Sequence, residues 1–474
     1  MKYYLEEIKY ISPPDVFEKF LKSNHPFFLD SSLKHNDFGR FSYITADPYL
    51  VYSATGTDIT IKDDTGEKRI TGEPFDILKK ICKPFLNNYK FTGFCCGGIG
   101  YISYGAGKCL ENIQSPEKDI LGIPDIYFAF YDWSIICDNI KKKMYIFSSG
   151  LPVKNTKKQT EKAKYRLKYV KTILEEVPIC TKKSFTDSTV FIRNLKSNFS
   201  KNGYTRSINR IKEYIRSGDV YQVNLSQRFS GSFFDEPYNF YKILRKTNPT
   251  CFSAFLDANS FQILSVSPER FLNVKNGKKI ETRPIKGTRP KTSSIEINKK
   301  NKKELLKSKK DIAELIMIVD LERNDLGKVC QYGSVKVDKL IELEEYANVY
   351  HLVATVRGYP KQGADIIDCL KACFPGGSIT GAPKIRSMQI INELETVERG
   401  IYTGSIGYIS FSNCADFNIA IRTAVVKDRE IYFNVGGGIV IDSNPKDEYI
   451  ETLAKGKPFL HFCTNKKYVN MIKN

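Results

Sequence analysis

Two pairs of carboxylates occur at a spacing of three residues in segments with a helical pattern. Asp311 and Glu314 form one pair, and Glu448 and Glu451 form the other. This spacing places both members of a pair on one face of a helix. Two such pairs facing one cavity would suit Mg²⁺, which binds few protein oxygens and keeps waters and substrate oxygens. A solvated surface is the commoner outcome, but Glu314 precedes the apolar run 315–319, where an unpaired charge is costly.

A lysine lies in a segment rich in proline, Arg283-Pro-Ile-Lys-Gly-Thr-Arg-Pro290. The two prolines and the glycine predict a rigid, non-helical backbone around Lys286. A lysine held in this way is a candidate nucleophile with a lowered pKa, or a point charge for a carboxylate. The alternative is a lysine in a surface turn, because lysine is frequent in this chain.

Histidine is sparse, and His351 lies in the apolar, strand-like run 349–356. A lone histidine in such a run is more often a hydrogen-bonded core residue than a catalyst. The other three histidines lie nearer the termini and outside any motif. His351 is therefore the strongest candidate for catalysis among the four.

Two glycine-rich segments could bring backbone close to a ligand. Residues 374–384 lack the GK[ST] ending of a phosphate loop, yet a glycine-rich turn before a helix can bind a carboxylate through backbone N–H groups. Residues 436–438 are three consecutive glycines between β-branched segments, which permits close backbone approach. No zinc spacing, GxSxG elbow or dinucleotide fingerprint occurs.

The elements that must position these residues alternate between strands and helices. Residues 1–150 are predicted to form short strands and turns, with a glycine-rich bend at 97–101. A basic surface helix is predicted within 154–183, and a single helix from about 303 to 326 carries the first acidic pair. Strands with helices at intervals and several predicted hairpins favour an α+β fold over a doubly wound parallel sheet.

The change in composition after residue 150 predicts the division of the chain. Residues 1–185 are predicted to form an N-terminal lobe that ends in a basic linker, 154–185. Residues 186–474 are predicted to form the C-terminal catalytic domain, because they contain nearly all of the candidate residues.

Composition excludes several classes of protein. The chain has 474 residues, of which 41% are hydrophobic and 27% charged, so it is neither disordered nor fibrous. No run of eighteen apolar residues could span a bilayer, and the first residues lack the order of a signal peptide. Twelve cysteines without a regular framework indicate reduced thiols, and we expect a cytoplasmic protein with no membrane partner.

The net charge of +20 raises the question of a nucleic-acid partner. Much of the excess lies in two lysine-rich segments, 154–183 and 291–310, without the interleaved aromatic residues that single-stranded nucleic acid prefers. Residues 311–460, which hold most of the candidate site, contain 16 basic and 21 acidic residues. We therefore expect no nucleic-acid partner and an acidic active region that holds a cation.

Several segments, in this order, resemble the chorismate-utilising enzymes, a family that includes the anthranilate, aminodeoxychorismate, isochorismate and salicylate synthases. The resemblance covers nearly the whole chain. It implies an α+β, anthranilate synthase component I-like fold: a large mixed or antiparallel β-sandwich flanked by helices, with an active-site cleft in the C-terminal chorismate-binding lobe. The matching segments are 218–225, 267–271, 283–290, 319–325, 351–353, 377–384 and 436–451.

The resemblance also implies roles for individual residues. Glu314 and Glu451 would bind Mg²⁺ directly, with Asp311 and Glu448 behind them through water. The metal would hold the ring carboxylate of chorismate. The implied catalytic residues are Lys286, Glu269 and His351. The implied substrate-binding residues are Thr380, Tyr408, Arg422, Gly437, Gly438 and Lys455.

A few positions distinguish the activities within the family. Gln222 lies in the segment where isochorismate and salicylate synthases carry a lysine base, and glutamine cannot take a proton from water. Lys286 stands in a Pro-Ile-Lys-Gly-Thr segment that is similar to the aminodeoxychorismate synthases, whereas anthranilate synthases usually have alanine there. The sequence thus predicts synthesis of 4-amino-4-deoxychorismate for p-aminobenzoate and folate, with anthranilate synthesis as the alternative.

Two further expectations concern partners. The chain has no recognisable Cys-His-Glu set of an amidotransferase, so a separate glutamine amidotransferase subunit is expected to supply ammonia. Residues 28–32 are similar to the N-terminal lobe of the family and make Leu29, Asp30 and Ser31 a candidate tryptophan pocket. Cys251 stands where proline is usual in the neighbouring loop.

Overall fold

The structure, a computed structural model, describes residues 3–33, 38–86, 89–111, 113, 121–176, 191–346, 349–464 and 467–473. The predicted linker therefore lies partly outside the described residues, from 177 to 185. No described helix is long and apolar enough to cross a membrane.

The described residues form 24 strands, numbered in chain order. The strands are β1 (Tyr4–Ile8), β2 (Phe27–Asp30), β3 (Phe41–Thr45), β4 (Leu50–Thr55), β5 (Asp58–Asp63), β6 (Gly66–Thr71), β7 (Gly97–Ile102), β8 (Ile126–Tyr131), β9 (Trp133–Asp138), β10 (Lys143–Ser148), β11 (Ile192–Ser197), β12 (Gln222–Phe233), β13 (Phe252–Asp257), β14 (Gln262–Ser267), β15 (Arg270–Lys275), β16 (Lys279–Arg283), β17 (Ile285–Pro290), β18 (Lys336–Glu345), β19 (Val349–Gly358), β20 (Gly381–Ala382), β21 (Ser405–Ser410), β22 (Cys414–Asn418), β23 (Thr423–Lys427) and β24 (Glu430–Ile439).

Twelve α-helices are described, together with one 3₁₀ turn at Gly377–Ile379. The helices are α1 (Pro13–Glu18), α2 (Pro74–Cys82), α3 (Tyr104–Leu110), α4 (Thr156–Glu175), α5 (Lys201–Arg216), α6 (Pro237–Thr247), α7 (Ile295–Lys307), α8 (Lys309–Val329), α9 (Ile366–Cys373), α10 (Lys384–Leu394), α11 (Pro445–Leu460) and α12 (Lys467–Lys473).

The strands form two sheets of twelve strands each, and every strand pair within them is antiparallel. The first sheet has the order β1-β10-β9-β3-β2-β13-β14-β23-β24-β12-β11, with β20 beside β12. The second has the order β17-β19-β16-β15-β22-β21-β7-β8-β4-β5-β6, with β18 beside β19. The architecture confirms the predicted α+β fold.

Both sheets contain strands from both sides of residue 185. In the first sheet β2 pairs with β13, and in the second β7 pairs with β21. Buried residues from both halves of the chain belong to one hydrophobic cluster, in which Phe17 stacks on Phe28 and contacts Phe255. The predicted N-terminal lobe and catalytic domain therefore share their sheets and their core.

The predicted glycine-rich bend at 97–101 is wrong, because these residues form the buried strand β7. Glycine is required there by the close approach of neighbouring strands. A Cβ atom on Gly100 would lie 1.8 Å from the carbonyl oxygen of Tyr127 on β8. Glycines in a strand can therefore mark close backbone approach as well as a turn.

The helix predicted from about 303 to 326 is in fact two helices, α7 and α8, that meet at Ser308. Its side chain accepts a hydrogen bond from the backbone N–H of Asp311 and caps the N-terminus of α8. Such a cap is worth about 1 kcal/mol. Because α8 begins at Lys309, Asp311 lies in its first turn, where the helix dipole stabilises a carboxylate.

Candidate active site

A cavity of about 580 Å³ opens between α8, α11, β17 and the end of β24. Each wall comes from a segment that the sequence singled out. The first turns of α8 and the middle of α11 contribute acids, β17 contributes Lys286, and the glycines of β24 let the backbone line the cavity without side chains. The lining residues predicted from the sequence are Glu269, Lys286, Asp311, Glu314, Arg422, Gly437, Gly438, Glu448, Glu451 and Lys455.

The two acidic pairs face this cavity from opposite helices. Asp311 also forms an ion pair of 3.1 Å with Arg289, and Glu448 accepts a hydrogen bond of 2.7 Å from Ser443. Burial raises the pKa of Glu314, and the charges of Asp311 and Glu451 raise it further. Burial and the charge of Glu451 likewise raise the pKa of Glu448.

This donor set fits Mg²⁺ by its chemistry. All four candidate ligands are hard carboxylate oxygens, and a divalent cation would relieve the repulsion that raises the pKa of Glu314 and Glu448. No group of three or more His, Cys, Asp or Glu converges closely enough to hold a metal by itself among the described residues. Mg²⁺ tolerates this arrangement, since it commonly uses one or two carboxylates together with waters and substrate oxygens.

Lys286 and Glu269 lie on the same side of the cavity. The Nζ atom of Lys286 is 3.4 Å from the carbonyl oxygen of Ser378, and the side chain of Ser378 hydrogen-bonds to Glu269. Burial lowers the pKa of Lys286, although the charges of Glu314 and Glu269 act in the opposite direction. Burial raises the pKa of Glu269. Both shifts favour the neutral forms, an amine and a carboxylic acid.

Two cations face the acids across the cavity. Lys455 forms an ion pair of 2.8 Å with Glu451, and its charge is the main cause of the lowered pKa of Glu451. Arg422 has no carboxylate within 4 Å in the described part of the chain. Its backbone has φ of 49°, an uncommon conformation for a residue with a side chain. Arg422 is therefore positioned to receive a carboxylate from a ligand.

A buried ion pair fixes the glycine-rich loop that forms the floor of the cavity. Lys384 forms an ion pair with Asp325 of α8 and donates hydrogen bonds to the carbonyl oxygens of Cys373 and Pro375, at 3.1 and 2.8 Å. Beside them, Glu322 accepts a hydrogen bond of 3.1 Å from the N–H of Gly377. Burial and the charge of Asp325 raise the pKa of Glu322 to about 7. These motif residues hold the loop in place and do not line the cavity.

Three of the predicted site residues do not line this cavity. Thr380 is buried beneath the loop, where its hydroxyl donates to the carbonyl oxygen of Gly376, so Ser378 and Ile379 take its place at the surface. His351 lies behind Thr288, with its Nδ1 atom 2.9 Å from the threonine hydroxyl. The Nε2 atom of His351 has no hydrogen-bond partner in the structure described.

Tyr408 is the third residue that does not line this cavity, and its contact with the substrate stays a prediction. Its ring lies 5.6 Å from Tyr43 and 5.5 Å from Phe94, in a separate cavity of about 270 Å³. Residues of both sheets line this separate cavity, including Leu29 of β2 and Arg270 of β15.

That separate cavity also contains the candidate tryptophan pocket. Leu29, Asp30 and Ser31 line it at the end of β2, next to Cys251. The carboxylate of Asp30 is engaged by Arg245 at 2.6 Å and by the hydroxyl of Tyr241 at 3.1 Å. The placement groups the three residues with Tyr408, and tryptophan binding there stays a prediction.

Several residues that line the active-site cavity were not predicted as site residues, and four of them have polar side chains of interest: Asn224, Ser378, Arg289 and Tyr402. Asn224 and Ser378 lie in segments that the family resemblance quoted, and Arg289 lies three residues after Lys286, so their motifs contained a signal. Tyr402 lies in no motif. Its place in the cavity follows from the turn between α10 and β21, which no local pattern predicts.

Comparison with known proteins identifies the family of this chain. The family model for chorismate binding enzymes matches residues 27–461. The chain belongs to the chorismate binding enzyme family.

This chain is similar in sequence to two relatives that are named for different activities. It is 38% identical to aminodeoxychorismate synthase component 1 of Bacillus subtilis, over 93% of this chain and 92% of the relative. It is 36% identical to anthranilate synthase component 1 of Acetivibrio thermocellus, over 95% of this chain and 92% of that relative. Among solved structures, anthranilate synthase component I of Streptococcus pneumoniae superposes with a TM-score of 0.78 and 32% identity, covering 90% of this chain and 93% of that chain.

Proposed function

We propose that this protein converts chorismate and ammonia into 4-amino-4-deoxychorismate. The observation that carries the proposal is Lys286, a lysine in the active-site cavity whose pKa is lowered by burial. Formation of the 4-amino product with retention at C4 calls for two successive displacements, and hence for a nucleophile from the protein. Direct attack of ammonia at C2, the route to anthranilate, has no such requirement.

Binding of the substrate is assigned to the cations and to the acids of the cavity. Arg422 and Lys455 would pair with the carboxylates of chorismate. Glu314 and Glu451 would hold Mg²⁺, with Asp311 and Glu448 behind them through water. Bound Mg²⁺ would neutralise the ring carboxylate and orient the ring. The glycine backbone at 437–438 leaves room for the ring beside these groups.

The covalent sequence begins with Lys286 in its neutral form. The amine nitrogen bonds to C2, the ring double bond shifts, and the C4–O bond breaks. The hydroxyl leaves as water with a proton from an acid. Ammonia then bonds to C4, the double bond shifts back, and the C2–N bond to Lys286 breaks. The lysine is regenerated, and the surplus proton of ammonia returns to the acid.

Glu269 is the better candidate for that acid, and His351 the poorer one. Burial raises the pKa of Glu269, which favours the protonated carboxyl group, and the residue lines the cavity. Burial and the nearby charge of Arg422 lower the pKa of His351 to about 3. A histidine that is neutral at physiological pH can orient Thr288 but cannot readily donate a proton.

Replacing Glu269 with glutamine is expected to lower kcat by about 10²- to 10⁴-fold, the usual range for loss of a general acid. Because only the protonated carboxyl is active, the wild-type rate should fall as pH rises through the raised pKa of Glu269. Steady-state kinetics across pH should show that the glutamine variant has lost this dependence. A variant within threefold of the wild type would contradict the assignment.

Replacing His351 with asparagine is expected to lower kcat without changing the shape of the pH profile between about pH 5 and 8. The reason is that a group with a pKa of about 3 does not titrate in that range. Parallel profiles of kcat/KM for chorismate consumption would agree with this expectation. An inflexion that is present in the wild type and absent from the variant would show that His351 exchanges a proton.

A glutamine amidotransferase subunit is the proposed source of ammonia. The relatives are named as component 1 of two-component enzymes, and the chain itself contains no recognisable amidotransferase triad. Free ammonium salts should therefore support the reaction without a partner.

The deciding experiment is product analysis after incubation of the purified chain with chorismate, Mg²⁺ and ammonium. The 4-amino-4-deoxychorismate product is expected. Anthranilate as the main product would overturn the proposal and favour the second candidate, anthranilate synthesis. The reason for this second candidate is the near-equal identity of the chain to an anthranilate synthase component 1.

A further inference from the structure

A second cavity, of about 450 Å³, adjoins the active site, and we call it the vestibule. The two share the lining residues Pro268, Val349, Arg422, Ala454 and Lys455, so they meet along one boundary. The vestibule extends from that boundary to the last turns of α11 and to residues 247–250 after α6. Lys457 and His461 line it and are exposed, so it reaches the surface of the protein.

The spacing of residues on α11 explains how one helix serves both cavities. Lys457 and Pro458 lie three and four residues after Ala454, and His461 lies three residues after Pro458, so the four form one stripe that faces the vestibule. Glu451 and Glu448 lie about one and two turns before Ala454 and face the active site. The helix therefore presents acids at its inner end and bases at its outer end.

The two cavities differ in their balance of charge, because five acidic and five basic residues line the active-site cavity. Arg422, Lys455 and Lys457 line the vestibule, and no Asp or Glu of the described residues does so. Lys457 forms no ion pair within 4 Å with a described carboxylate. Lys455 is paired with Glu451, but the C-terminus of α11 contributes only about −0.5 of a charge, which Arg422 and Lys457 outweigh. A concave surface with an uncompensated positive charge concentrates small anions.

We infer that the vestibule is the entry site for the substrate, a small dicarboxylate dianion, and that Lys457 captures it before Arg422 and Lys455 receive it. The inference rests on the proposed use of chorismate. The inner cavity is lined by five acidic residues and by as many basic ones, so it exerts little net attraction on a dianion at a distance. The positive vestibule supplies that attraction, and Lys455 belongs to both cavities, so one cation can pass the anion inward.

The test compares Lys457→Glu and Lys457→Gln with Lys446→Glu and Lys446→Gln. Lys446 is an exposed lysine of the same helix that lines no cavity described here, so it is a matched control for charge. Chorismate consumption should be measured with saturating ammonium and Mg²⁺ at ionic strengths of about 0.01 M and about 0.5 M, which change the screening length several-fold.

At low ionic strength, Lys457→Glu is expected to lower kcat/KM by about three- to thirtyfold, with a smaller loss for Lys457→Gln. The value of kcat should stay the same, the loss should shrink at high ionic strength, and both Lys446 variants should match the wild type. An unchanged kcat/KM, a loss that does not depend on salt, or an equal loss in Lys446→Glu would overturn the inference. A merely structural role for Lys457 would not produce the salt dependence.

Failure of the proposed function is distinguishable, because consumption of chorismate is followed whichever product forms. If the chain consumed no chorismate, calorimetric binding of chorismate at the two ionic strengths would give the same comparison. Weaker binding by Lys457→Glu at low salt alone would support the vestibule, and equal binding by all variants would overturn it.

Discussion

Replacing Lys286 with alanine is expected to lower the rate of 4-amino-4-deoxychorismate formation by at least about 10³-fold, because the covalent route loses its nucleophile. The lysine lies in the active-site cavity with its pKa lowered by burial, so its neutral amine is more available than that of an exposed lysine. Product formation from chorismate and ammonium measures the effect directly.

The arginine variant separates charge from nucleophilicity. Lys286→Arg keeps a permanent positive charge near Glu314 and Glu269 but offers no neutral amine. We expect it to be as inactive as Lys286→Ala. Recovery of most of the activity by arginine would show that the lysine acts only as a cation, and unchanged turnover in alanine would exclude the covalent route.

The intermediate offers a second measurement. Acid quench of the wild type with chorismate in the absence of ammonia, followed by intact-protein mass spectrometry, should reveal an adduct equal in mass to chorismate less one water. Lys286→Ala should show none. A matched control is Lys310→Ala, since Lys310 also lines the cavity and lies 4.0 Å from Glu314. The adduct should persist in that variant.

Replacing Glu314 with glutamine is expected to make the protein more stable than the wild type without metal, less stable than the wild type with Mg²⁺, and less active. Burial raises the pKa of Glu314 in the folded protein, so its ionised form destabilises the fold, and this cost is complete at pH above the raised folded pKa. That cost is absent where the carboxyl is protonated, at pH below its unfolded pKa. Without metal, the variant should therefore melt at a higher temperature than the wild type.

With Mg²⁺ the order should change, because the wild type gains binding energy that the variant lacks. Thermal melts in EDTA and in excess Mg²⁺ compare the stability of the variant and the wild type in each condition, without any assay of activity. We expect kcat/KM with Mg²⁺ to fall by at least about 10²-fold in Glu314→Gln and in Glu451→Gln. Glu304→Gln, at an exposed glutamate of α7, is the control. If the melting temperature of the wild type did not change with Mg²⁺, the assignment of these carboxylates as Mg²⁺ ligands would be contradicted.

The local patterns of the chain determined much of the site in advance. A spacing of three put Asp311 with Glu314, and Glu448 with Glu451, on single helix faces, because helical periodicity is a local property. The prolines around Lys286 likewise excluded a helix, and β17 is extended there. Ordered motifs along the chain were enough to identify the family, which the match over residues 27–461 confirms.

Tertiary structure decided which of the candidate residues share a cavity. The family resemblance implied that Tyr408, Thr380 and Arg422 all bind the substrate, yet Tyr408 lines another cavity and Thr380 is buried beneath the loop. The alternation of a strand tells which residues share a face, but only the packing of the sheets tells what that face meets. Likewise, the glycines at 97–101 predicted a bend from the sequence, whereas in the structure they allow the close approach of β8.

The distribution of charge around the site could not be predicted from the sequence either. Residues 311–460 are acidic in total, but the vestibule is positive, because α11 turns its acids inward and Lys457 outward. The lowered pKa of Lys286 and the raised pKa of Glu269 both come from burial, which depends on segments far apart in the chain. Residue types and spacing thus determined the chemistry that is available, and three-dimensional packing decided which groups meet and in which protonation state.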